Sequence, residues 1–466
     1  MRCSAARVRC ACATPSLLLR TARAPLRARL PWTSTRHRAD ARRGGVHGRC
    51  AGARARSPTA PAGGHRCRSG VFPHRFGSSR AGNPRRAERP WVRDSLSKRD
   101  ERAYVMATLC RPAVAVPEHV ITMQQTLDLA RTIHADHPQL PLALRLMENT
   151  GVQKRHLLRP IEETLKHPGF EARNAVYEAE SKARVPAVIR QALDDAELRA
   201  QDIDVIIYVS CTGFMMPSLT AWLINTMGFR TDTRQIPIAQ LGCAAGGAAI
   251  NRAHDFCTAY PDANALIVAC EFCSLCYQPT DLEVGNLLSN GLFGDGLAAA
   301  VMRGRGGTGI SLERNGSYLV PETEEWIAYD IRDTGFHFKL DKRVPGTMEP
   351  LAPALKQLAG QHGWDASDLD FYIIHAGGPR ILDDLSKFLG VPPEAFRFSR
   401  ATLTEYGNIA SAVVLDALRR MFDEGSAEHA ARGLLAGFGP GITAEMSLGR
   451  WTTSDRVFTE ESHRAG

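Results

Sequence analysis

Cys243 is the first residue whose type and position suggest chemistry, because it lies between a predicted strand and a predicted helix. Apolar, extended-type residues 235–241 precede it, and residues 244–254, which have helical composition and no proline, follow it. A thiol at a helix start experiences the positive end of the helix dipole, which favours the thiolate. The same residue could instead be a buried structural cysteine, because free cysteine is among the most buried residue types.

The chain repeats itself, and the repeat gives Cys243 a counterpart. The segment AQDIDVIIYVSCTG matches ASDLDFYIIHAGG, with Asp202 opposite Asp368, and LGCAAGGAAI matches YGNIASAVVL, with Cys243 opposite Asn408. A third pair, GLFGDGLAAAVM and GLLAGFGPGITAEM, follows. Three matched segments predict two similar halves, each with strands alternating with helices.

His375 is the third candidate, since it ends the predicted strand FYIIH and precedes AGGPR. Ligands in open parallel sheets meet the carboxyl ends of the strands. Cys243 and Asn408 occupy equivalent turns between strand and helix, so all three side chains could converge near a pseudo-two-fold axis. A histidine alone would be interpreted as a core residue, but the matching turns favour a functional site.

The elements that position these residues belong to the part of the chain after residue 105. The 466 residues carry a net charge of +9, but residues 1–105 contain 25 Lys+Arg and 5 Asp+Glu, whereas the rest is net acidic. The first segment is rich in Arg, Ala, Pro and Gly, and such a composition cannot bury enough surface to fold, so it is predicted to be disordered.

Three origins fit this arginine-rich extension. It could be a nucleic-acid-binding arm or an organelle transit peptide. It could also be upstream DNA translated from a wrong start codon, because GC-rich DNA encodes arginine rather than lysine in any frame. The last origin is favoured, since no methionine lies between Met1 and Met106, where normal globular composition begins.

The remaining 361 residues exceed what one hydrophobic core usually supports. They are predicted to form an N-terminal half, 106–330, with the nucleophile, and a C-terminal half, 331–466, with the histidine and asparagine. No apolar run approaches the roughly 18–20 residues of a membrane span. Seven cysteines in this part, an odd number without a secretory signal, suggest reduced thiols and a cytoplasmic protein that contacts no membrane.

Several long motifs, in order over residues 106–450, resemble the type III polyketide synthases of the chalcone synthase type. They are QLGCAAGG, GLFGDG, VPGTME, HAGGPRILD, EYGNIAS and GFGPG. MATLCRPA, VSCTGFMMPS, CEFCSLCYQPTD and RDTGFHF resemble bacterial members that make tetrahydroxynaphthalene. The resemblance implies an α/β fold of the thiolase-like αβαβα architecture with two pseudo-symmetric halves.

The resemblance also assigns roles to residues. Cys243 would carry the acyl group, with His375 and Asn408 completing a triad. The residues implied to line the substrate cavity are Phe293 and Phe338 at its mouth, Tyr329, Cys211, Cys273, Cys276, Ala410 and Met216. Met216 matches a methionine that enters the partner's cavity, which implies a homodimer, and family members have a cis bond before the next residue, here Pro217. Arg145 and Arg380 are the implied coenzyme A contacts, although Leu142 and Asn149 replace two lysines of the plant pattern.

The implied reaction is decarboxylative Claisen condensation of five malonyl-CoA units on the cysteine, followed by cyclisation and aromatisation, with no cofactor, metal or acyl carrier protein. A Cys243 thiolate beside a His375 imidazolium would attack a thioester. The His375 N–H and the Asn408 amide would stabilise the enolate oxygen.

Two alternatives remain. A ketoacyl synthase that initiates fatty acids would use the same Cys/His/Asn set, but it usually docks a carrier protein on a basic patch, and residues 106–466 are net acidic. A nucleic-acid-binding protein would act through the arginine-rich extension.

Two further motifs are not interpreted as binding sites. CEFCSLC spaces Cys270, Cys273 and Cys276 as in iron–sulfur proteins, but no fourth cysteine follows, so no metal site is predicted. GRGGTG matches a dinucleotide fingerprint, but a strand-like segment follows where a helix is needed.

Overall fold

The computed structural model describes residues 106–453. By their contacts, the described residues belong to one compact unit. The predicted disorder of residues 1–105 therefore lies outside the described residues, as does the end of the chain from residue 454. Within residues 106–453, no helix is both long and apolar enough to cross a membrane.

Fourteen strands and eleven α-helices make up the described part. The strands are β1 (Thr108–Leu109), β2 (Ala113–Ala115), β3 (His119–Thr122), β4 (Lys154–Leu157), β5 (Val205–Val209), β6 (Arg234–Ile238), β7 (Asn264–Phe272), β8 (Asp295–Arg303), β9 (Gly309–Thr323), β10 (Ile327–Arg332), β11 (Gly335–Leu340), β12 (Phe371–Ile374), β13 (Arg432–Gly439) and β14 (Gly441–Thr452). The helices are α1 (Met123–Ile133), α2 (Leu140–Glu148), α3 (Ile161–Thr164), α4 (Phe170–Asp195), α5 (Leu219–Met227), α6 (Ala245–Ala259), α7 (Val284–Leu292), α8 (Met348–Gln361), α9 (Pro379–Leu389), α10 (Arg397–Tyr406) and α11 (Val413–Glu424).

Ten of the strands form one mixed sheet that contains the predicted pseudo-symmetry. Its order is β12-β13-β14-β9-β1-β8-β7-β5-β6, with β2 paired to β8. From β5 through β7 and β8 to β1 the pairings are parallel, antiparallel and antiparallel, and the same series runs from β12 through β13 and β14 to β9. The two series meet where β1 pairs with β9.

The two series of strands form two layers, and helices pack between them and on their outer faces, which gives five layers. Helices α6 and α11 contact each other, and α6 contacts strands of both series, so these two helices form the central layer. Helices α4 and α5 cover the outer face of the first series, and α8 covers the second, with α9 packed against α8. The predicted α/β architecture with two similar halves is confirmed.

Strand β5 shows why the sequence folds into buried layers. Its residues VIIYV are all buried. Ile206 and Tyr208 face the core under α4, whereas Val205, Ile207 and Val209 face the core around α6. A continuous apolar run is typical of a strand that is covered on both faces.

Two sequence interpretations concern the segment between the halves. Residues 304–308 of GRGGTG lie in the turn between β8 and β9, and Gly309 begins β9, so a strand follows this motif as the sequence predicted. The proposed boundary between residues 330 and 331 falls within β10, and β9 already pairs with β14 of the second series.

Candidate active site

Cys243 lies in a turn between β6 and α6, as the sequence predicted. The strand ends at Ile238, earlier than expected, and a 3₁₀ turn over Gly242–Ala244 leads directly into α6. Gly242 has a φ of +50°, and a Cβ there would lie 2.8 Å from the Cδ of Pro440. A side chain is therefore excluded at the residue before the cysteine, both by conformation and by space.

The small residues after Cys243 let the second half of the chain approach the helix. A Cβ on Gly246 would lie 2.2 Å from the carbonyl oxygen of Ser411, and one on Gly247 would lie 2.8 Å from the carbonyl oxygen of Glu445. The segment that carries Asn408 can therefore pack directly against the start of α6. The close approach at this helix start is a contact between the two halves.

Asn408 is held by its backbone against the residues around Phe293. Its N–H donates to the carbonyl of Leu292 at 2.9 Å, and its carbonyl accepts from the N–H of Gly294 at 3.2 Å. The side-chain Oδ1 accepts from the backbone N–H of Ala410 at 2.9 Å. Ala410 reaches this position with a φ of 47°, a region that costs a residue other than glycine of the order of 1–3 kcal/mol. These contacts fix the orientation of the asparagine amide.

The three candidate catalytic side chains meet at Asn408. The Nε2 of His375 lies 3.3 Å from Asn408 Oδ1, and Asn408 Nδ2 lies 3.8 Å from the sulfur of Cys243. Since Oδ1 accepts, the His375 ring carries its hydrogen on Nε2. The His375 backbone N–H donates to Ala436 at 2.8 Å, which ties it to β13. Two N–H groups, on His375 Nε2 and Asn408 Nδ2, thus lie in one site beside a thiol.

Burial favours the uncharged forms of the ionisable side chains in this site. It raises the pKa of the Cys243 thiol to about 12, with the carboxyl of Glu271 as a second cause, and it lowers the pKa of His375 to about 4. Among the described residues, no hydrogen bond joins Cys243 directly to His375. These surroundings favour a neutral thiol and a neutral imidazole, which differs from the thiolate and imidazolium that the sequence predicted.

Glu271 is a residue of the site that the sequence analysis missed. It is fully buried at the end of β7 and accepts hydrogen bonds from the Cys211 N–H at 3.1 Å, from Thr212 Oγ1 at 2.9 Å and from Ser411 Oγ. Burial raises the pKa of this carboxyl. The sequence signal for it is a single glutamate in CEFCSLC, within an otherwise apolar strand.

Arg155 is a second missed residue, and it supports the segment that carries Phe293. It is 5% exposed and donates to the carbonyl of Phe293 at 3.0 Å and to Thr126 Oγ1 at 2.8 Å. Its aliphatic part fills the space over Gly407, where a Cβ would lie 3.0 Å from the arginine Cγ. Nothing in the sequence around this arginine distinguishes it from surface arginines.

Five of the residues predicted to form the substrate cavity line one cavity: Cys273, Cys276, Phe293, Tyr329 and Phe338. The rings of Phe293 and Phe338 meet edge to face at 5.2 Å, and Tyr329 lies 5.9 Å from Phe338. Burial raises the pKa of Cys276 to about 12, and the hydroxyl of Tyr329 is a hydrogen-bond partner of this thiol. The cavity therefore has an aromatic wall and a thiol-bearing wall.

The remaining predicted residues lie in three places. Cys211 contacts Glu271, and Ala410 contacts Asn408, so both adjoin the triad. Met216 is 88% exposed and precedes the cis peptide bond to Pro217 that the family resemblance implied. Arg145 is exposed on α2 and Arg380 is exposed on α9, where it pairs with Asp384 at 3.5 Å.

The cysteines of CEFCSLC do not face a common point. Cys270 lies 3.3 Å from the hydroxyl of Ser181 in the core under α4, whereas Cys273 and Cys276 line the cavity. Among residues 106–453, no three His, Cys, Asp or Glu side chains are grouped to hold a metal ion.

Comparison with protein families places this site in a known context. Residues 95–308 match the family described as FAE1/Type III polyketide synthase-like protein, and residues 312–451 match the C-terminal domain of chalcone and stilbene synthases. The chain belongs to the type III polyketide synthases. It is therefore an enzyme of the acyltransferase type, and the ketoacyl synthase and nucleic-acid-binding alternatives are not favoured.

Individual type III polyketide synthases are also similar to this chain. A 1,3,6,8-tetrahydroxynaphthalene synthase of Streptomyces coelicolor is 83% identical over 350 residues, which are 75% of this chain and 94% of that protein. A protein of the same name from Streptomyces griseus is 74% identical over 346 residues, 74% of this chain and 93% of its own. The crystal structure of the Streptomyces coelicolor enzyme superposes with a TM-score of 0.74, covering 74% of this chain and 99% of that chain.

Proposed function

We propose that this type III polyketide synthase joins five malonyl-CoA units and releases 1,3,6,8-tetrahydroxynaphthalene. The observation that carries the proposal is the meeting of Cys243, His375 and Asn408 beside Phe293, a residue of the cavity wall. Support for the product comes from the two Streptomyces relatives that bear its name. Malonyl-CoA is the starter as well as the extender.

Loading of the starter begins at Cys243. Its sulfur attacks the carbonyl carbon of the thioester, and the bond between that carbon and the coenzyme A sulfur breaks. The thiol proton ends on the departing coenzyme A sulfur, so no thiolate is needed at rest. Coupling proton loss to attack suits a thiol that burial keeps protonated at rest.

Decarboxylation of the extender depends on the two N–H donors. As carbon dioxide leaves, the electrons of the broken C–C bond form an enolate. His375 Nε2–H and Asn408 Nδ2–H stabilise its oxygen, and such preorganised donors supply the largest part of many rate enhancements. Asparagine suits this place better than aspartate because it donates without adding negative charge beside the enolate.

Condensation returns Cys243 to its starting state. The enolate carbon attacks the acyl carbon on the sulfur, a C–C bond forms, the C–S bond breaks, and the departing thiolate takes up one proton from the medium. The lengthened chain remains on coenzyme A and is passed back to Cys243. Five three-carbon units that lose five molecules of carbon dioxide leave the ten carbons of a naphthalene. The aromatic wall of the cavity shields the reactive chain from water.

We also propose a homodimer. Phe214 and Met216 follow β5 and are 60% and 88% exposed, and adjacent exposed apolar side chains mark contact surfaces. Met216 matches a methionine that enters the partner's cavity in this family, which supports a second copy of this chain as the partner. Sedimentation of the full chain should give twice the monomer mass, and a monomer with full activity would contradict this assembly.

The coenzyme A contacts and the cytoplasmic location complete the proposal. Arg145 and Arg380 are exposed cations that could meet the phosphates of coenzyme A. The seven cysteines of residues 106–453 are all free, which fits a reducing compartment.

The full chain incubated with malonyl-CoA alone tests this function. Tetrahydroxynaphthalene should be identified by mass spectrometry, with no carrier protein present and none formed by a Cys243→Ala variant. A requirement for malonyl on a carrier protein, or a product that lacks the naphthalene skeleton, would contradict the proposal.

A further inference from the structure

Strands β10 and β11 form a two-stranded sheet that is not paired with the main sheet. A hairpin of this kind is marginally stable by itself, so other contacts must hold it in place. In register, Tyr329 lies opposite Phe338, and Asp330 lies opposite His337. Since side chains alternate along a strand, these two pairs lie on opposite faces of the hairpin.

One face of the hairpin forms the aromatic wall of the cavity. The ring of Tyr329 lies 5.4 Å from Phe336 and 5.9 Å from Phe338, and Phe338 continues to Phe293 at 5.2 Å. The position of the hairpin therefore sets where the aromatic wall stands relative to Cys273 and Cys276.

The other face carries a buried pair of side chains. The Nδ1 of His337 lies 2.7 Å from Asp281 Oδ2, and its Nε2 lies 2.6 Å from Thr334 Oγ1. The side chains of His337 and Asp281 are 5% and 7% exposed. A carboxylate only accepts, so Nδ1–H donates to Asp281, and in the neutral ring the Thr334 hydroxyl donates to Nε2.

Asp281 belongs to a loop that is itself fixed. The Nδ2 of Asn286 donates to the carbonyls of Gln278 and Asp281 at 3.2 and 2.9 Å. The Nε2 of Gln278 donates to Thr334 and Phe336 of the hairpin at 3.2 and 3.0 Å. The loop therefore joins Cys276 on the thiol-bearing wall to the hairpin that carries the aromatic wall.

We propose that His337 and Asp281 form a clasp that determines starter specificity by positioning Tyr329 and Phe338. Neither residue contacts the triad; they act on the volume of the cavity through the hairpin. The inference rests on the proposed function, in which malonyl-CoA is the preferred starter. When the hydrogen bond between His337 and Asp281 is lost, the aromatic wall can move away from the thiol-bearing wall. The cavity then admits larger acyl groups as starters, and malonyl is no longer the preferred starter.

The hairpin also provides a matched control. Asp330 lies on the same strand as Tyr329 and pairs with Arg332 at 3.1 Å and Lys339 at 2.7 Å. These side chains are about one-third to one-half exposed, and exposed pairs contribute little to stability. Arg332 also comes within 4.0 Å of Asp281, and its Nη1 lies 3.2 Å from His337 Nδ1. Removing Asp330 changes the charge of the hairpin but leaves in place the hydrogen bonds of His337 to Asp281 and Thr334.

The test compares Asp281→Ala, Thr334→Val and Asp330→Ala in the full chain. Each is given malonyl-CoA with hexanoyl-CoA in competition, and the hexanoyl-primed and malonyl-primed products are quantified. Asp281→Ala should raise their ratio about tenfold, the scale on which a hydrophobic pocket discriminates small size differences. Thr334→Val should raise it less, and Asp330→Ala should leave it unchanged. Decarboxylation of malonyl-CoA should be retained in all three.

A ratio in Asp281→Ala equal to that in Asp330→Ala, with the protein folded, would overturn the clasp. A uniform loss of both products would overturn it as well, because it would indicate a merely structural role. If Asp281→Ala does not fold, the product ratio of Thr334→Val is compared with that of Asp330→Ala, and equal ratios would overturn the clasp. A wild-type enzyme that makes no malonyl-primed product would contradict the proposed function instead, and the ratio of hexanoyl-primed to acetyl-primed products would then test the clasp.

Discussion

The amide nitrogen of Asn408 lies 3.8 Å from the sulfur of Cys243, and the amide cannot turn around because Ala410 N–H binds its oxygen. A donor is thus directed at the place where an acyl oxygen or an enolate oxygen would lie. The left-handed backbone of Ala410 is the local cost of this arrangement.

Asn408→Asp replaces this donor by an acceptor of the same shape. Decarboxylation of malonyl-CoA should fall by about 10²–10³-fold, the usual effect of removing one oxyanion donor. The measurement is release of carbon dioxide from malonyl-CoA, with circular dichroism to establish that the fold is kept. Decarboxylation at the wild-type rate in this variant would show that Asn408 is not a donor to the enolate.

Gly246→Ala tests the close contact between the two halves. The added Cβ would lie 2.2 Å from the Ser411 carbonyl, and overpacking of this kind costs typically about 1–3 kcal/mol. Both the free energy of unfolding and condensation should decrease, because α6 must move away from the segment that carries Asn408. Denaturant unfolding and product formation measure the two effects.

Gly360→Ala is the matched control, since Gly360 also lies in a helix but a Cβ there meets nothing within 4 Å. Alanine should leave stability unchanged or increase it by up to about 1 kcal/mol through its higher helix propensity. Equal effects of the two substitutions would contradict the importance of the Gly246 contact.

The pH dependence of decarboxylation reports on His375. Burial lowers its pKa to about 4, so the ring is neutral at and above pH 6 and gains its second proton only near pH 4. In a Cys243→Ala variant, where no thiol can exchange a proton with the ring, decarboxylation should therefore be flat from pH 6 to pH 8. A midpoint near the ordinary histidine value of about 6.5 would contradict the burial of this ring.

Tyr329→Gly should admit larger acyl-CoA starters and weaken the use of malonyl as starter. The tyrosine fills part of the cavity, and its hydroxyl is a hydrogen-bond partner of Cys276. Tyr329→Phe keeps the ring and removes the hydroxyl, so it separates volume from polarity. Products are compared by mass spectrometry; if Tyr329→Gly keeps the wild-type starter preference while folded, starter selection lies elsewhere.

The meeting of Cys243 and Asn408 could be predicted from the sequence, because the internal repeat is visible as matched segments. Cys243 and Asn408 stand at equivalent turns, and the structure brings their side chains together. The protonation states could not be predicted in this way. The helix start favours a thiolate, but complete burial and the nearby carboxyl of Glu271 act against it, and burial depends on residues from both halves.

The supporting residues could not be predicted because they act across long sequence separations. Arg155 reaches Phe293, and His337 reaches Asp281, without any motif that marks them as partners. The cysteines of CEFCSLC illustrate the same limit. Their spacing is regular, but only the fold directs Cys270 to one core and Cys273 and Cys276 to the cavity.

Mapping the acyl group on the protein tests the central claim most directly. The full chain is incubated briefly with malonyl-CoA, quenched in acid, and digested, and the mass shift is assigned by peptide sequencing. The acyl group should be found on Cys243 and be missing from a Cys243→Ala variant. An adduct on Cys211, Cys273 or Cys276 in the wild-type protein, with Cys243 unmodified, would contradict the account.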